Sequence, residues 1–591
     1  MLNPRTDRLD YGDKLRSPPG FELTYALATS YSLELDTLLC LPMALSFDAT
    51  LEGDWREKEL ALLEAIGTLK GRLKVFFQQG CIKVPRQFHK LFTLLEPCLV
   101  PMVPTQAYSS FHPKIWLLRF TNDSRDVHYR LLVLSRNLTF DRSWDLAIAL
   151  EGRLTNTVKS ESESQGLLDL LGDLAPQAKD FVQAFKCFKK ELPKVEWQRP
   201  VGFHGLKTLA GVHSRMPLDF GSGTDTVLVM SPFLHAEALT MLRARGARHW
   251  LFSRAEELER LGAALLEGWE CFALNARVVE GEDELEDRKP QNLHAKLILV
   301  QNGATSHWHV GSANATKAAL GGTSPGSARN TEFMLRLSSS SPEYCAEQLK
   351  TQWVGTADNP TRIFLPYSFD LSAVREPADD ELVSREVLQT LISAKWRLSA
   401  HPDETGSYTC AMECSAELLV LPIGVEVQLL AGSKRQPLAA QISWEGLGLT
   451  DLTAFLVLRL TANGESVERV VKAELDIVGG DGRERQIVAG LIDSPQKLMA
   501  YLHMLLQPSR EKGEWPTNDQ GGTINTPADG LEAFMSGRVY ESLLRCAARE
   551  PEKLNRIEAV LEHLREIEDR IPADFSTLWK HFKPFMVKER S

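Results

Sequence analysis

The chain of 591 residues has no apolar run long enough to cross a bilayer, which takes about 18 residues or more. Its N-terminal stretch, MLNPRTDRLDYGDKLRSPPG, is charged and lacks the apolar centre of a secretory signal. The sequence therefore predicts neither a membrane-spanning nor a secreted protein, and we expect a cytoplasmic location without membrane partners.

The chain also lacks a regular cysteine pattern and an excess of positive charge. Its nine cysteines are scattered and odd in number, which indicates reduced thiols rather than a disulfide framework. Cys410 and Cys414, with His401 upstream, have no second pair nearby, so a zinc site is disfavoured there. Because the net charge is −11, any contact with nucleic acid must use a local basic groove.

What the sequence does contain is an α/β pattern that occurs twice. Strand candidates such as HPKIWLLRF and YRLLVLSRN are followed by helical stretches, and a connector near Glu191 precedes a second series that includes TVLVMSPF, LHAKLILV and HWHVGSAN. We predict two tandem α/β halves that form a pseudo-dimer, residues 1–195 and 196–366. They are followed by a β-sandwich-like region at 367–492, whose short strands include RQIVAGLI, and a helical region at 493–591.

Each half carries the same series of polar residues, namely His-x-Lys, then Ser-x-Asn, then an acid. The first copy consists of His112, Lys114, Ser135, Asn137 and Asp145, and the second of His294, Lys296, Ser312, Asn314 and Glu332. If each His-x-Lys lies on a strand, its two side chains project from one face. Both asparagines are placed at strand ends before helix-like stretches, LTFDRSW and ATKAAL, where α/β sheets usually form sites.

Two such half-sites, brought together, suit cleavage of a phosphodiester. One imidazole can attack phosphorus and the other can protonate the leaving oxygen. The lysines and asparagines can hold the non-bridging oxygens, and a carboxylate behind each histidine can fix its tautomer. The lysines supply positive charge, so no metal or other cofactor is predicted.

These motifs resemble those of the phospholipase D superfamily, and HAKLILV…VGSANATKAAL…NTEF is close to its second signature. The usual family motif has an aspartate five residues after each lysine, where this chain has Arg119 and Gln301. The pattern without that aspartate is similar to the tyrosyl-DNA phosphodiesterase branch and to bacterial phospholipase-D-like nucleases.

The resemblance implies a role for each residue. His112 would be the nucleophile, His294 the general acid, Lys114 and Lys296 the phosphate clamps, Asn137 and Asn314 the supporting amides, and Glu332 and Asp145 the orienting acids. It further implies a nuclease that acts on DNA rather than RNA, in bacterial anti-phage defence beside a helicase or another defence subunit. The alternatives are a phospholipid-cleaving or phosphatidyl-transferring enzyme and a non-catalytic nucleic-acid-binding subunit.

Further polar residues near the motifs are candidates for substrate binding. We assign Ser135 and Ser312 to this role, with a local basic groove formed by Arg136, Arg142, Lys317 and Arg329. The four basic residues could equally be ordinary surface charges.

Overall fold

The computed structural model describes most of the chain. The described residues are 9, 11–46, 59–140, 143–157, 161–218, 220, 223–275, 292–322, 328–355, 363–369, 379–413, 416–421, 423–462, 465–506, 538–565, 567 and 570–586. Arg142 and Cys414 lie outside them.

The first 200 residues form a region with helices, one mixed sheet and two short strands that belong to another sheet. Its elements are α1 (Tyr11–Leu15), β1 (Glu22–Ser30), β2 (Leu33–Glu34), α2 (Leu35–Ser46), α3 (Glu59–Leu69), β3 (Leu73–Gln78), β4 (Ile82–Lys83), α4 (Leu91–Leu95), β5 (Leu99–Met102), β6 (Ile115–Thr121), β7 (Val127–Leu134), β8 (Ala147–Leu154), α5 (Glu161–Leu174), α6 (Val182–Glu191) and β9 (Val195–Trp197). The strand order is β5-β3-β1-β6-β7-β8-β9. Strands β1, β3 and β5 are parallel, and each later neighbour is antiparallel.

The next 170 residues form a second sheet of the same kind. Its elements are β10 (Gly205–Gly211), β11 (Thr226–Met230), α7 (Ala236–Arg243), β12 (Arg248–Ser253), α8 (Ala255–Leu265), β13 (Glu270–Leu274), β14 (Leu297–Asn302), β15 (Thr305–Gly311), α9 (Lys317–Leu320), β16 (Glu332–Ser339), α10 (Ala346–Val354) and β17 (Phe364–Pro366). The order is β10-β16-β15-β14-β11-β12-β13-β17. From β13 to β10 the strand directions repeat those of the first sheet from β5 to β9, so the predicted mixed α/β fold is confirmed.

The two sheets share one apolar core. Phe76 and Leu117 of the first sheet and Phe252 and Leu299 of the second belong to a single cluster of buried side chains. The shared core holds the sheets together and sets the distance between the polar residues at their ends.

Strands and one helix follow. They are α11 (Asp379–Ser393), β18 (Arg397–Pro402), β19 (Tyr408–Glu413), β20 (Gly424–Leu429), β21 (Gln436–Pro437), β22 (Gln441–Leu447), β23 (Phe455–Ala462), β24 (Glu465–Lys472) and β25 (Glu474–Ile477). One sheet has the order β22-β19-β18-β25, and the other has the order β2-β4-β24-β23-β20-β21. Strands β2 and β4 come from the first 200 residues, so the β-rich region extends a sheet that begins near the first half-site.

The remaining elements are helical. They are α12 (Arg483–Leu491), α13 (Pro495–Leu505), α14 (Arg538–Arg549), α15 (Glu552–Leu564) and α16 (Ala573–Phe582). The predicted strand RQIVAGLI is wrong, because these residues lie in α12. A short apolar run fits a buried helix as well as a strand, and Ile487 and Val488 pack into the core that α3 and α13 share.

None of the helices among the described residues is long and apolar enough to span a membrane. The predicted boundaries between the four domains stay predictions.

Candidate active site

Two short backbone pairings join the sheets at the motif residues. Phe111 pairs with Thr331, and Trp144 pairs with Leu293, both in parallel. The chain that leads to each histidine therefore lies beside the chain that leads to the acid of the other region. The sequence predicted one carboxylate for each histidine, and the structure shows that the acids are exchanged between the two regions.

His112 is held by Glu332. Its Nδ1 lies 2.9 Å from Oε2 of Glu332, which is 1 % exposed and also accepts a hydrogen bond from Ser312. Asn330 Nδ2 donates to the other carboxylate oxygen at 3.0 Å. Burial raises the pKa of Glu332, but His112, Lys114 and Ser312 outweigh it and hold the pKa at about 2. The carboxylate is therefore an anion at neutral pH, and it directs the Nε2 lone pair of His112 away from itself.

His294 is held by Asp145 in the same way. Nδ1 of His294 lies 3.1 Å from Oδ1 of Asp145, and Ser135 Oγ donates to that oxygen at 3.1 Å. Burial and the charge of Lys296 outweigh the carboxylate and lower the pKa of His294 to about 4. Burial also lowers the pKa of His112. Both imidazoles are therefore neutral at pH 7.

The two lysines are buried between these pairs. Lys114 Nζ donates to the carbonyl oxygen of His112 at 2.9 Å, and Lys296 Nζ donates to that of His294 at 2.7 Å. Burial lowers the pKa of Lys296 to about 7, and burial together with the charge of Lys296 lowers the pKa of Lys114 well below its usual range. The charge of Lys296 also acts on His112, and that of Lys114 acts on His294, so the two half-sites face each other. An anion between the lysines would relieve much of their burial cost.

The two serines of the Ser-x-Asn motifs lie against the orienting acids, and their predicted role in substrate binding stays a prediction. Each is fully buried, and each hydroxyl donates to an orienting acid. Each also accepts a backbone N–H, from Leu146 in the first case and Phe333 in the second. With its donor and an acceptor position occupied, each serine fixes the position of its carboxylate.

The two asparagines occupy matching places beyond the serines. Oδ1 of Asn137 and Oδ1 of Asn314 are both buried without a hydrogen-bond partner among the described residues. Unpaired buried amide oxygens are costly, and such atoms in native proteins commonly await a ligand or water. Each of these oxygens can accept a hydrogen bond from a water or a substrate hydroxyl, while the Nδ2 of the same amide can donate to a phosphate oxygen.

Local backbone structure differs from the prediction in two ways. Strands β6 and β14 begin at Ile115 and Leu297, so each His-x-Lys lies in the extended segment just before its strand. The described part of LTFDRSW is not helical, whereas ATKAAL contains α9. Because these segments lie outside the sheet hydrogen bonds of β6 and β14, their backbone groups can take part in the pairings between the two regions.

Sequence reasoning missed two serines. Ser30 is the last residue of β1, and Ser231 directly follows β11. Ser30 Oγ accepts a hydrogen bond from Leu138 N at 3.0 Å, and Ser231 Oγ accepts one from Ala315 N at 2.9 Å. Each therefore fixes the residue after a motif asparagine. The repeated arrangement of an apolar strand, Ser-x-x-Leu and then a polar residue is the signal that could have found them.

The residues that lead into each histidine are also fixed, but by different side chains. Gln78 Oε1 accepts a hydrogen bond from Phe111 N at 2.7 Å. In the other region Arg254 donates from Nε and NH2 to Leu293 O at 3.0 and 2.8 Å. Neither residue was predicted, because nothing in the local sequence marks it.

The predicted basic groove stays a prediction, and the described basic residues near the motifs have different contacts. Arg136 donates to Thr139 O at 2.8 Å and supports the turn after Asn137, while Lys317 forms an ion pair with Glu237 at 2.7 Å. Arg329 donates to Ala107 O at 3.2 Å, and its Nε is buried without a partner among the described residues. Arg329 is thus the predicted basic residue best placed for an anion.

The family motif's missing aspartates are replaced by residues with structural contacts. Arg119 forms a double hydrogen bond with Glu191, and Gln301 bonds to Gly303 O and Ala346 N. Among the described residues no group of three or more histidines, cysteines or acids could hold a metal ion.

No protein-family model matches this chain, and no curated protein matches it. Among solved structures, a mutant of yeast tyrosyl-DNA phosphodiesterase is similar over 53% of this chain and 82% of its own, at 10% identity and a TM-score of 0.36. A polyphosphate kinase from Porphyromonas gingivalis is similar over 65% of this chain and 51% of its own, at 12% identity and a TM-score of 0.32. Both scores are too low for a conclusion about the family or function of this chain.

Proposed function

We propose that the chain is a metal-independent phosphodiesterase that cleaves nucleic acid, DNA in the first place, through a phosphohistidine on His112. On this proposal the two sheets are phospholipase-D-like halves of a tandem pseudo-dimer. The observation that carries the proposal is the pair of buried lysines between two histidine–carboxylate pairs whose carboxylates are exchanged. The defence role and the helicase partner remain predictions from the resemblance.

The proposed reaction has two steps. In the first, Nε2 of His112 attacks phosphorus, the P–O bond to the leaving group breaks, and His294 gives its proton to the leaving oxygen. In the second, His294 takes a proton from water, the water oxygen attacks phosphorus, and the P–N bond breaks. The buried Lys114 and Lys296 stabilise the charge on the non-bridging oxygens in both transition states.

His294 must carry a proton in the first step, although burial and the charge of Lys296 lower its pKa to about 4. A phosphodiester anion between the lysines supplies the negative charge that the site lacks, and it therefore raises the pKa of His294. Substrate binding thus brings the acid into its active form.

The direct test is cleavage of labelled single- and double-stranded DNA in excess EDTA by the wild type and by H112A and H294A. We expect cleavage to survive EDTA and to fall by about a thousandfold or more in both variants. His128→Ala is the matched control, because His128 lies 2.7 Å from a carboxylate of Glu151 but outside the site. Cleavage that EDTA abolishes and that neither histidine affects would refute the mechanism.

A nitrophenyl phosphodiester separates the roles of the two histidines, because nitrophenolate leaves without a proton. The H294A variant should then release one equivalent of nitrophenolate in a burst and retain phosphate on His112. The H112A variant should show no burst. A burst in H112A and none in H294A would exchange the two roles while leaving the proposed function intact.

A further inference from the structure

Two exposed aromatic rings, each covered by an arginine, flank the candidate site. We propose that Phe233 with Arg254 and Tyr108 with Arg329 form two base-stacking platforms, one beside each histidine, so that the site takes an unpaired strand. This inference rests on the proposed function, and it names the substrate form that the same site accepts.

The first platform lies beside His294. The Arg254 guanidinium carbon lies 4.8 Å from the centroid of the Phe233 ring, and Phe233 remains 43 % exposed. The same guanidinium donates two hydrogen bonds to the carbonyl oxygen of Leu293, the residue before His294. Its charge also lowers the pKa of Lys296, so the platform adjoins the phosphate clamp itself.

Phe233 is fixed from its other side as well. Its carbonyl oxygen accepts a hydrogen bond from Ser231, and the next residue, Leu234, pairs with Ala315 directly after Asn314. The backbone around Phe233 is therefore fixed next to the residue that follows Asn314, while the side chain of Phe233 stays partly open to solvent.

The second platform lies beside His112. The Arg329 guanidinium carbon lies 5.8 Å from the centroid of the Tyr108 ring, and Tyr108 is 46 % exposed. Arg329 donates to Ala107 O, and Asn330 Oδ1 accepts a hydrogen bond from Ser110 N at 3.1 Å. These contacts bind the loop with Tyr108 to the segment that leads to Glu332, the partner of His112.

The backbone of Tyr108 supports a functional role for its ring. Its φ of 58° lies in the left-handed region, which is unfavourable for a residue other than glycine. Ser109 hydroxyl donates to Gln106 O at 2.8 Å, and the Tyr108 hydroxyl donates to Glu386 of α11 at 3.0 Å, and both contacts maintain this conformation. Strain of this kind is kept where the position of a side chain matters.

Aromatic platforms select unpaired bases for a physical reason. The faces of a base are already stacked within a duplex, so only an unpaired base can lie flat on a protein ring. In each pair the arginine covers one face of the ring and supplies positive charge for the backbone, while the exposed face remains for a base. Arg254 contacts the carbonyl oxygen before His294, and Arg329 lies in the segment that leads to Glu332, so a strand whose phosphate lies between the lysines is expected to meet both platforms.

The test compares the binding of three labelled DNAs to the full chain by fluorescence anisotropy. They are a single strand, the same strand with abasic sites around its centre, and the duplex. Every protein tested also carries H112A, so that the DNA is not cleaved during the measurement, and in this comparison the wild type means the chain with H112A alone. We expect the wild type to bind the intact single strand at least about tenfold more tightly than the other two. F233L and Y108L should each remove most of that preference, by about fivefold or more.

The matched controls are F585L and Y540L, whose rings are 59 % and 49 % exposed in the C-terminal helical region. They should keep the wild-type preference, and a thermal unfolding scan shows whether every variant is folded. Equal wild-type affinity for the intact and abasic strands, or for the duplex, would overturn the platforms, as would folded F233L and Y108L with unchanged preference.

Cleavage of bis(4-nitrophenyl) phosphate separates the two proposals, because this diester needs no base platform. A wild type that cleaves it but does not prefer the intact single strand refutes the platforms and keeps the phosphodiesterase. A wild type with the preference but without cleavage of this diester or of DNA refutes the phosphodiesterase and keeps the platforms as a binding surface.

Discussion

The two half-sites have the same parts, but their carboxylates are held differently. Glu332 is 1 % exposed and has partners for both oxygens, in His112, Ser312 and Asn330. The side chain of Asp145 is 14 % exposed, and its Oδ2 is buried without a partner among the described residues. The histidine assigned as nucleophile therefore has the more completely fixed partner, and the histidine assigned as acid has the more adaptable one.

This difference matches the work that each histidine does in the proposed reaction. A nucleophile must keep one tautomer and one direction of its lone pair, which a buried permanent anion provides. A general acid must gain and lose a proton in each cycle, and a less completely held carboxylate leaves its pKa open to the charge of the substrate. Three measurements test this difference between the two half-sites.

The largest effect is expected from neutralising the two carboxylates. Glu332→Gln should lower the single-turnover rate constant by about a thousandfold, because His112 loses both its tautomer and the anion behind it. Asp145→Asn should lower this rate constant less, by about a hundredfold. The reason is that the bound substrate anion, and not Asp145 alone, favours the protonated form of His294. Both are measured as single-turnover cleavage of DNA.

Glu151→Gln is the matched control for the carboxylate variants. Glu151 lies against His128 at 2.7 Å and against Arg130, away from the site, so cleavage should stay at the wild-type rate. Equal losses in E332Q and D145N would show that the two half-sites do not differ in the way proposed.

The exchange of the carboxylates is a feature of the site that could not be predicted from the sequence. All four His-x-Lys residues and both acids were predicted from the doubled motif, because its spacing is local. The pairing of His112 with Glu332 depends on a parallel bridge between Phe111 and Thr331, residues far apart in the chain. No local pattern encodes such a bridge.

Other features were not evident from the sequence, for equally physical reasons. Ser135 and Ser312 are predicted to bind substrate because hydroxyls bind phosphates, and nothing in the local sequence indicates that their hydroxyls donate to the two acids. The helix α12 was taken for a strand because a run of buried apolar residues has no period of its own. The joining of β2 and β4 to the β-rich region could not be foreseen, since two-residue strands leave almost no signal.

A smaller effect is expected on the pH dependence of anion binding. Sulfate keeps its charge from pH 5 to 9, so any change in its affinity there comes from the protein. Lys296, whose pKa is lowered by burial to about 7, is already charged below pH 7 and must take up a proton above it when it binds sulfate. Sulfate affinity should therefore fall as pH rises above 7, by up to about tenfold per pH unit.

Isothermal titration calorimetry at pH 8 in two buffers of different ionisation enthalpy measures this proton uptake. Lys296→Met should reduce it, and Lys70→Met, which changes an exposed lysine paired with Glu484, should not. Lys114→Met, compared with Lys296→Met, shows how the proton uptake divides between the two lysines, because the charge of Lys296 lowers the pKa of Lys114. An affinity that does not change between pH 6 and 9 would contradict the assigned state of Lys296.

The smallest effect is expected from Ser30→Ala and Ser231→Ala, which test where the two half-sites are alike. Each change leaves a backbone N–H without its acceptor, that of Leu138 in the first case and Ala315 in the second. The loss of this hydrogen bond lowers the local free energy of opening by about 1–3 kcal/mol, so local hydrogen exchange should be faster by about fivefold or more.

Exchange mass spectrometry of peptides covering 135–140 and 312–317 makes the measurement, with the exposed Ser340→Ala as control. Each variant should speed exchange in its own half and leave the other half unchanged, and the two increases should agree within about threefold. Similar increases would mean that the asymmetry of the site lies in its carboxylates and not in the backbone that positions Asn137 and Asn314. A strong effect in one half only would extend the asymmetry to the frame itself, and the roles of the two histidines would then follow from the whole half-site rather than from one carboxylate.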